Sequence, residues 1–440
     1  MQNIYLHSLG CEKNTVDGEH ILSILSNNGF NITYNPEEAD IIVINTCAFI
    51  EDSKKESIDA IFDHSIYKKY GRCKKLIVSG CMSERYKENF LDMFKEVDSA
   101  IGIHGLENIL KAVKENGFYD AKENTQYKEY GERINTGSEH SVYIRISDGC
   151  HANCSFCAIP SIRGVHRSRK IEDIVKEAAN YAENGAKEIN LIAQETTYYG
   201  YDIYNKLALP DLLKALSKTE GIKWIRVLYQ NPVILNDEII EAFFSIDKIV
   251  PYFDIPLQHI DKDILKDMNR GSRGYKFYRE MIDKIRSYDN DAVIRTSFIV
   301  GFPGETPESF KKLIKFIRNS ELDRVGVFTY SEEENTKALL INKSKISGNK
   351  KLMLREKLMH AAVEVSEKRL ERFIGRNIDV LIEKEDGDGR FIGRSKYDAP
   401  EVDGYVEVYN ENADNNIKTG DIVQVSVTHN TEYDLIGNVI

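Results

Sequence analysis

No run of about 18 apolar residues occurs in the 440-residue chain, and its opening, MQNIYLHSLGCEKN, lacks the basic-then-apolar order of a secretory signal. A cytoplasmic protein is therefore expected, with no membrane span. Positive charge is not in excess either: 59 Lys and Arg face 70 Asp and Glu, a formal charge of -11. That sign repels a nucleic-acid backbone, DNA included, and favours a basic partner. Neither a Ser/His/Asp triad nor a phosphate-binding loop is recognisable. An even-numbered cysteine framework is missing as well. Seven cysteines on a long chain without an export signal point to metal or redox duty rather than to disulfides. The length allows two to four domains, each with its own core.

What is present is a cysteine loop. Residues 147–169 read SDGCHANCSFCAIPSIRGVHRSR, with Cys150, Cys154 and Cys157 spaced Cys-x3-Cys-x2-Cys just after a strand-like run at 141–146. Thiolate is the ligand of iron–sulfur clusters, and three on one short loop can each take a different iron of a 4Fe-4S cube. A fourth iron is then left for a substrate that offers an amine and a carboxylate, as S-adenosylmethionine (SAM) does. A zinc knuckle or three buried free thiols are the blander alternatives. The spacing, with Phe156 before the last cysteine, resembles that of the radical SAM superfamily.

Residues 1–120 alternate strand-like runs (3–7, 40–45, 75–79) with helical patterns, one of them following Asp17 with Ile21, Leu22, Ile24 and Leu25 on its apolar face. Such alternation predicts a parallel α/β sheet. Cys11, Cys47 and Cys81 each fall in a loop just past one of these strands. Carboxyl ends of parallel strands share one edge, so the three should converge there and hold a second three-cysteine cluster. The alternative is three separate buried thiols. Cys73 precedes its strand, at the opposite edge, and reads as structural.

A polar stretch at 121–139 reads as a linker that would let one cysteine-bearing unit sit over the other. From 140 to 372 six strand-like runs (142–146, 188–193, 224–229, 250–255, 292–300, 324–328) alternate with amphipathic segments. They suit an open (β/α)6 partial TIM-like barrel whose site lies at the strand carboxyl ends. Candidates to hold SAM there are Gln194 and Glu195, Gln258 with His259, Arg295, and the turn Gly301-Phe302-Pro303-Gly304-Glu305. Arg163, Arg167 and Arg169 form either a solvated basic face or a set of guides for an acidic substrate group. A charged helix then leads out of this domain at 343–372. Residues 373–440 show short β-runs (378–383, 405–409, 422–428), expected to form a small antiparallel β-barrel. It resembles the TRAM domain. From 374 to 440 there are 6 Lys and Arg against 14 Asp and Glu, so the module suits a basic protein better than RNA.

Within the radical SAM superfamily the whole chain resembles the methylthiotransferases. The matching segments are Ser8-Leu9-Gly10-Cys11 with Asn14, Asn45-Thr46-Cys47, and Gly80-Cys81. One branch of that family modifies an adenosine of tRNA; the other modifies an aspartate of the twelfth small-subunit ribosomal protein. Similarity to the second lies in Ala158-Ile159-Pro160-Ser161-Ile162-Arg163-Gly164, in Ala48-Phe49-Ile50 with Glu56-Ser57-Ile58-Asp59, and in Tyr397-Asp398-Ala399-Pro400-Glu401-Val402-Asp403-Gly404. Glu12 departs from a position where that pattern often has proline. The resemblance implies two 4Fe-4S clusters, SAM, a 5′-deoxyadenosyl radical that takes hydrogen from the aspartate β-carbon, sulfur delivered from the second cluster, and external electron and sulfur donors. The target would be free or in the assembled subunit, and the enzyme a monomer.

Overall fold

The computed structural model describes residues 1–121, 126–387, 389–410 and 416–440. Its first unit is a six-stranded sheet in the order β2-β1-β3-β4-β5-β6, all pairs parallel: β1 (Asn3–Ser8), β2 (Asn31–Ile32), β3 (Ile41–Thr46), β4 (Lys75–Gly80), β5 (Ser99–Ile101) and β6 (Gly117–Tyr119). Every residue of β3 is buried, as expected of an inner parallel strand covered on both faces. The sequence pattern exposes β1, β3 and β4, whereas β2, β5 and β6 are two or three residues long and too short to show a period.

The helix expected after Asp17 begins earlier: α1 spans Glu12–Asn27. Its first turns were obscured because Glu12, Lys13, Asn14, Asp17 and Glu19 are polar yet buried. They face the rest of the protein, where partners compensate them, rather than solvent. Two further helices matter for the site, α2 (Glu51–Tyr70) and α3 (Cys81–Tyr86).

The expected linker at 121–139 includes residues 122–125, which lie outside the described residues. Its remainder is a strap rather than a loose tether. Arg133 pairs with Glu19 of α1 and, at 3.0 Å, with Glu177 on the helix Ile171–Glu183.

The middle of the chain opens with β7 (Ser141–Arg145), followed by a short antiparallel pair, β8 (Ser147–Asp148) with β9 (Arg167–Ser168), that brackets the cysteine loop. The arc continues through β10 (Glu188–Ile192), β11 (Trp224–Val227), β12 (Tyr252–Asp254), β13 (Val293–Val300) and β14 (Arg324–Thr329). Two parallel sheets, β11-β10-β7 and β12-β13-β14, are joined by a parallel bridge between Ile225 and Ile249, so six parallel strands form one open arc. The helix Gly348–Leu370 packs Leu354, Leu358 and Ala362 into the same core.

The last unit is a closed barrel in the order β15-β16-β17-β19-β18: β15 (Asn377–Glu385), β16 (Arg390–Ser395), β17 (Val406–Tyr409), β18 (Ile422–Asn430) and β19 (Leu435–Val439). The antiparallel expectation holds except at one seam, where β17 pairs with β19 in parallel to close the cylinder. The barrel packs against the strand arc and shares a core with Trp224, Tyr252 and Val293. Glu188, fully buried on β10, binds Arg226 at 2.8 Å and Arg394 of β16 at 2.7 Å. Arg324 reaches Asp398 at 2.7 Å. Buried ion pairs of this kind cost several kcal/mol when one partner is removed, so they fix the barrel's position.

Candidate functional site

The amino-terminal cysteines meet because of strand register. Asn45 lies opposite Ser8 and Ser79, and Thr46 opposite Gly80, so Cys47 and Cys81 are the next residues of adjacent strands. Cys11 caps α1 and Cys81 opens α3. Asn14 Nδ2 donates to the carbonyls of Leu9 (2.7 Å) and Thr46 (3.2 Å), while Asn45 Nδ2 returns a bond to the Asn14 carbonyl at 2.6 Å. These two amides staple the Cys11 loop to the end of β3. Gly10 sits at φ +88°, and a Cβ there would lie 2.7 Å from Cys47 Cβ and 3.0 Å from its sulfur. Only glycine permits both the turn and that approach. Burial pushes the Cys81 thiol up to about 12, even with the Arg163 guanidinium beside it, and raises Cys47 as well.

The second trio sits on the loop between β8 and β9. Cys150 N–H donates to the Gly164 carbonyl at 3.2 Å and Cys157 N–H to that of Cys154 at 3.1 Å. Ala152 N–H points at Cys150 Sγ (3.4 Å) and Ile159 N–H at Cys157 Sγ (3.5 Å). Gly149, at φ +75°, leaves no room for a side chain against the Val165 carbonyl. Arg270, half-buried, directs Nη1 at Cys154 Sγ, 3.8 Å away. Burial, with the Glu195 carboxylate next, pushes the Cys150 thiol up to about 12.

The two trios offer three thiols each. All seven cysteines are free thiols, and among the described residues no group of three His, Cys, Asp or Glu is arranged to hold one metal ion. Cys73, by contrast, is buried with its sulfur on the Lys75 carbonyl at 3.2 Å, away from either trio.

The other candidates divide. Glu195 lies beside the second trio, 3.9 Å from Cys150 Sγ and 3.2 Å from His151 Nδ1, and His151 stacks on Tyr198 with ring centroids 3.5 Å apart. Gln194 Nε2 donates to Asp148 at 2.9 Å. Gln258 joins the strand end by backbone, its N–H on the Ser297 carbonyl and its carbonyl accepting from Ile299, both at 2.8 Å. Next to it His259 is fully buried, its Nδ1 accepting from Asp261 N–H at 3.0 Å. Gly301 N–H donates to Glu305, Gly304 N–H to the Ser344 carbonyl at 3.0 Å, and Pro303 is buried between them. The side chains of Lys351 and Lys343 lie over Gly301 and Gly304.

Arg295, a candidate to hold SAM, sits between two carboxylates. It pairs with Asp254 at 2.9 Å and Asp403 at 3.6 Å, tying the barrel to the arc. The three arginines after the cysteine loop are buried and paired rather than a solvated face. Arg163 is 2% exposed and binds Asp17 (2.7 Å) and Asp148 (3.1 Å); Arg167 lies 3.4 Å from Asp148; Arg169 binds Glu129 and Glu177, both at 2.6 Å. Their carboxylate partners come from distant sequence and could not be read from a local run of charge. Asp17, Asp148, Arg145 and Arg270 belong to the site and escaped notice for the same reason. Asp148, two residues before Cys150, was the one with a positional signal.

Three family patterns match the chain: the radical SAM superfamily at 144–317, uncharacterized protein family UPF0004 at 3–102, and the TRAM domain at 374–440. A ribosomal protein uS12 methylthiotransferase RimO from Thermoanaerobacter sp. (strain X514) is 43% identical over 99% of this chain and 100% of its own. The chain belongs to the RimO family of radical SAM methylthiotransferases. A RimO from Aquifex aeolicus (strain VF5) is 44% identical over 98% of this chain and 95% of its own. Among solved structures, the radical SAM methyltransferase TsrM from Kitasatospora setae superposes with a TM-score of 0.56 over 74% of this chain and 73% of its own, at 12% identity, a likeness of fold alone. Radical SAM membership carries a 4Fe-4S cluster and SAM, and the Cys150, Cys154 and Cys157 donor set fits that cluster. No helix among the described residues is long and apolar enough to cross a membrane.

Proposed function

We propose that this enzyme adds a methylthio group to the β-carbon of an aspartate in ribosomal protein uS12, using two 4Fe-4S clusters, one on Cys150, Cys154 and Cys157 and one on Cys11, Cys47 and Cys81. The observation that carries the reading is two three-thiol sets on one chain of the RimO family, with Arg163, six residues after Cys157, reaching Cys81 Sγ at 3.7 Å. When bound, the clusters and SAM supply radical formation, sulfur and methyl. The protein's part is to hold the reacting groups close and keep water out. Asp148 orients Gln194, and Glu195 stands at the Cys150 edge, where an ammonium would find an acceptor. Gln258, Gly301, Pro303 and Gly304 supply backbone and amide groups along the same edge.

Recognition of the target follows charge. The barrel exposes Asp379, Glu385, Asp386, Glu401, Asp421 and Glu432, and opposite charge steers a basic partner toward it. The working units are 1–120, the strap 121–139, 140–372 and 373–440, in a cytoplasmic monomer served by external electron and sulfur donors. Mass analysis of uS12 and of tRNA nucleosides from cells lacking the gene tests the assignment. The aspartate mark should vanish with tRNA methylthioadenosine intact; the reverse outcome makes this the tRNA branch.

A further inference from the structure

Each cysteine set has one guanidinium aimed at one of its sulfurs, fully buried for Arg163 and half-buried for Arg270. Arg163 Nη2 lies 3.7 Å from Cys81 Sγ, and Arg270 Nη1 lies 3.8 Å from Cys154 Sγ. The two arginines are held differently. Arg270 belongs to the same domain as its thiol and is anchored by donating to the Pro256 carbonyl at 2.6 Å. Arg163 comes from the helix Ile159–Arg163, directly after the Cys150–Cys157 loop, and crosses to a thiol of the other domain. There Asp17 and Asp148 grip it from both sides, and Asn14 Oδ1 accepts at 3.4 Å. One side chain thus contacts a ligand of one trio while being covalently continuous with the loop of the other.

We propose that Arg163 is a positioning residue that sets the reduction potential of the amino-terminal cluster and fixes it relative to the Cys150–Cys157 loop, with Arg270 its counterpart at the radical SAM cluster. This rests on the two-cluster reading above. Hydrogen bonds and positive charge at ligand sulfurs favour the reduced, more negative cluster and so raise its potential. Withdrawing the guanidinium should lower it. Arg163 suits the task because the two carboxylates hold its planar fork in place, which a lysine in the same hole cannot reproduce.

The test uses full-length chains with one trio disabled. In the Cys150→Ala/Cys154→Ala/Cys157→Ala chain, reconstituted anaerobically, iron content reports whether the amino-terminal cluster forms. Redox titration followed by electron paramagnetic resonance then reports its potential. Arg163→Met should shift that potential to more negative values and alter the resonance, whereas Arg270→Met should leave both unchanged. In the chain lacking Cys11, Cys47 and Cys81 the pattern should reverse. Arg163→Lys keeps a charge between Asp17 and Asp148, guards against a folding defect, and should give a smaller shift of the same sign. Normal iron with an unmoved potential in both Arg163 variants overturns the inference and leaves the two-cluster reading standing. Absence of iron in the first chain overturns both.

Discussion

The two cysteine trios present the same three-thiol chemistry by opposite means. Cys150, Cys154 and Cys157 lie within eight residues, on a loop shaped by Gly149 and the β8–β9 clasp and pinned by one outside segment, where Ser155 N–H donates to the Met268 carbonyl and Asn269 Nδ2 to the Asn153 carbonyl, both at 2.9 Å. Cys11, Cys47 and Cys81 are spread over 71 residues and meet only because three parallel strands end in register. A site on one short loop depends on the few segments that touch it. One built on a sheet edge inherits every fault of the fold that carries it.

The sharpest way to separate the two is to remove one thiol from each. Cys154→Ala should abolish SAM cleavage altogether while about half the iron remains, and Cys81→Ala should retain cleavage to 5′-deoxyadenosine yet lose methylthio transfer. Iron assay and product chromatography read both, and retained cleavage in Cys154→Ala would count against the radical assignment. Next in size is the seam that holds the trios together. Burial alone would raise the Glu177 carboxyl, but Arg169 and Arg133 hold it down at about 2. A carboxyl depressed in the folded state lends stability that is present above its unfolded value, near 4.3, and lost as pH falls toward 2. Glu177→Gln should therefore cost about 3 kcal/mol at neutral pH and flatten the acid limb of the stability profile between about pH 4 and 2, as measured by denaturant unfolding.

A smaller effect distinguishes sheet edge from loop. Gly10→Ala forces a Cβ against Cys47 at positive φ and should destabilise by about 1–3 kcal/mol, with loss of iron from the amino-terminal trio only. An unchanged melting temperature and iron count would show that the edge is looser than its packing indicates. Smallest is Cys73→Ala: about 1 kcal/mol or less, with iron and activity intact, since its sulfur meets backbone and core rather than either trio.

Local features were legible in the chain itself. The Cys-x3-Cys-x2-Cys loop, the long strands β1, β3, β4 and β13, and the position of each cysteine just past a strand all follow from spacing and period, which neighbouring residues carry. The short strands β2, β5 and β6, the polar first turns of α1, and the parallel β17–β19 seam were not, because a two-residue strand has no period and a buried charge resembles an exposed one. Arg295 and the Arg163, Arg167 and Arg169 set make the point most directly. Sequence determined that guanidinium groups stand near the cysteines and strands. Whether each meets solvent, a ligand or a carboxylate depended on Asp17, Glu129, Asp148, Glu177, Asp254 and Asp403. Only the folded chain brings those acids within a few ångströms, the range over which a salt bridge forms.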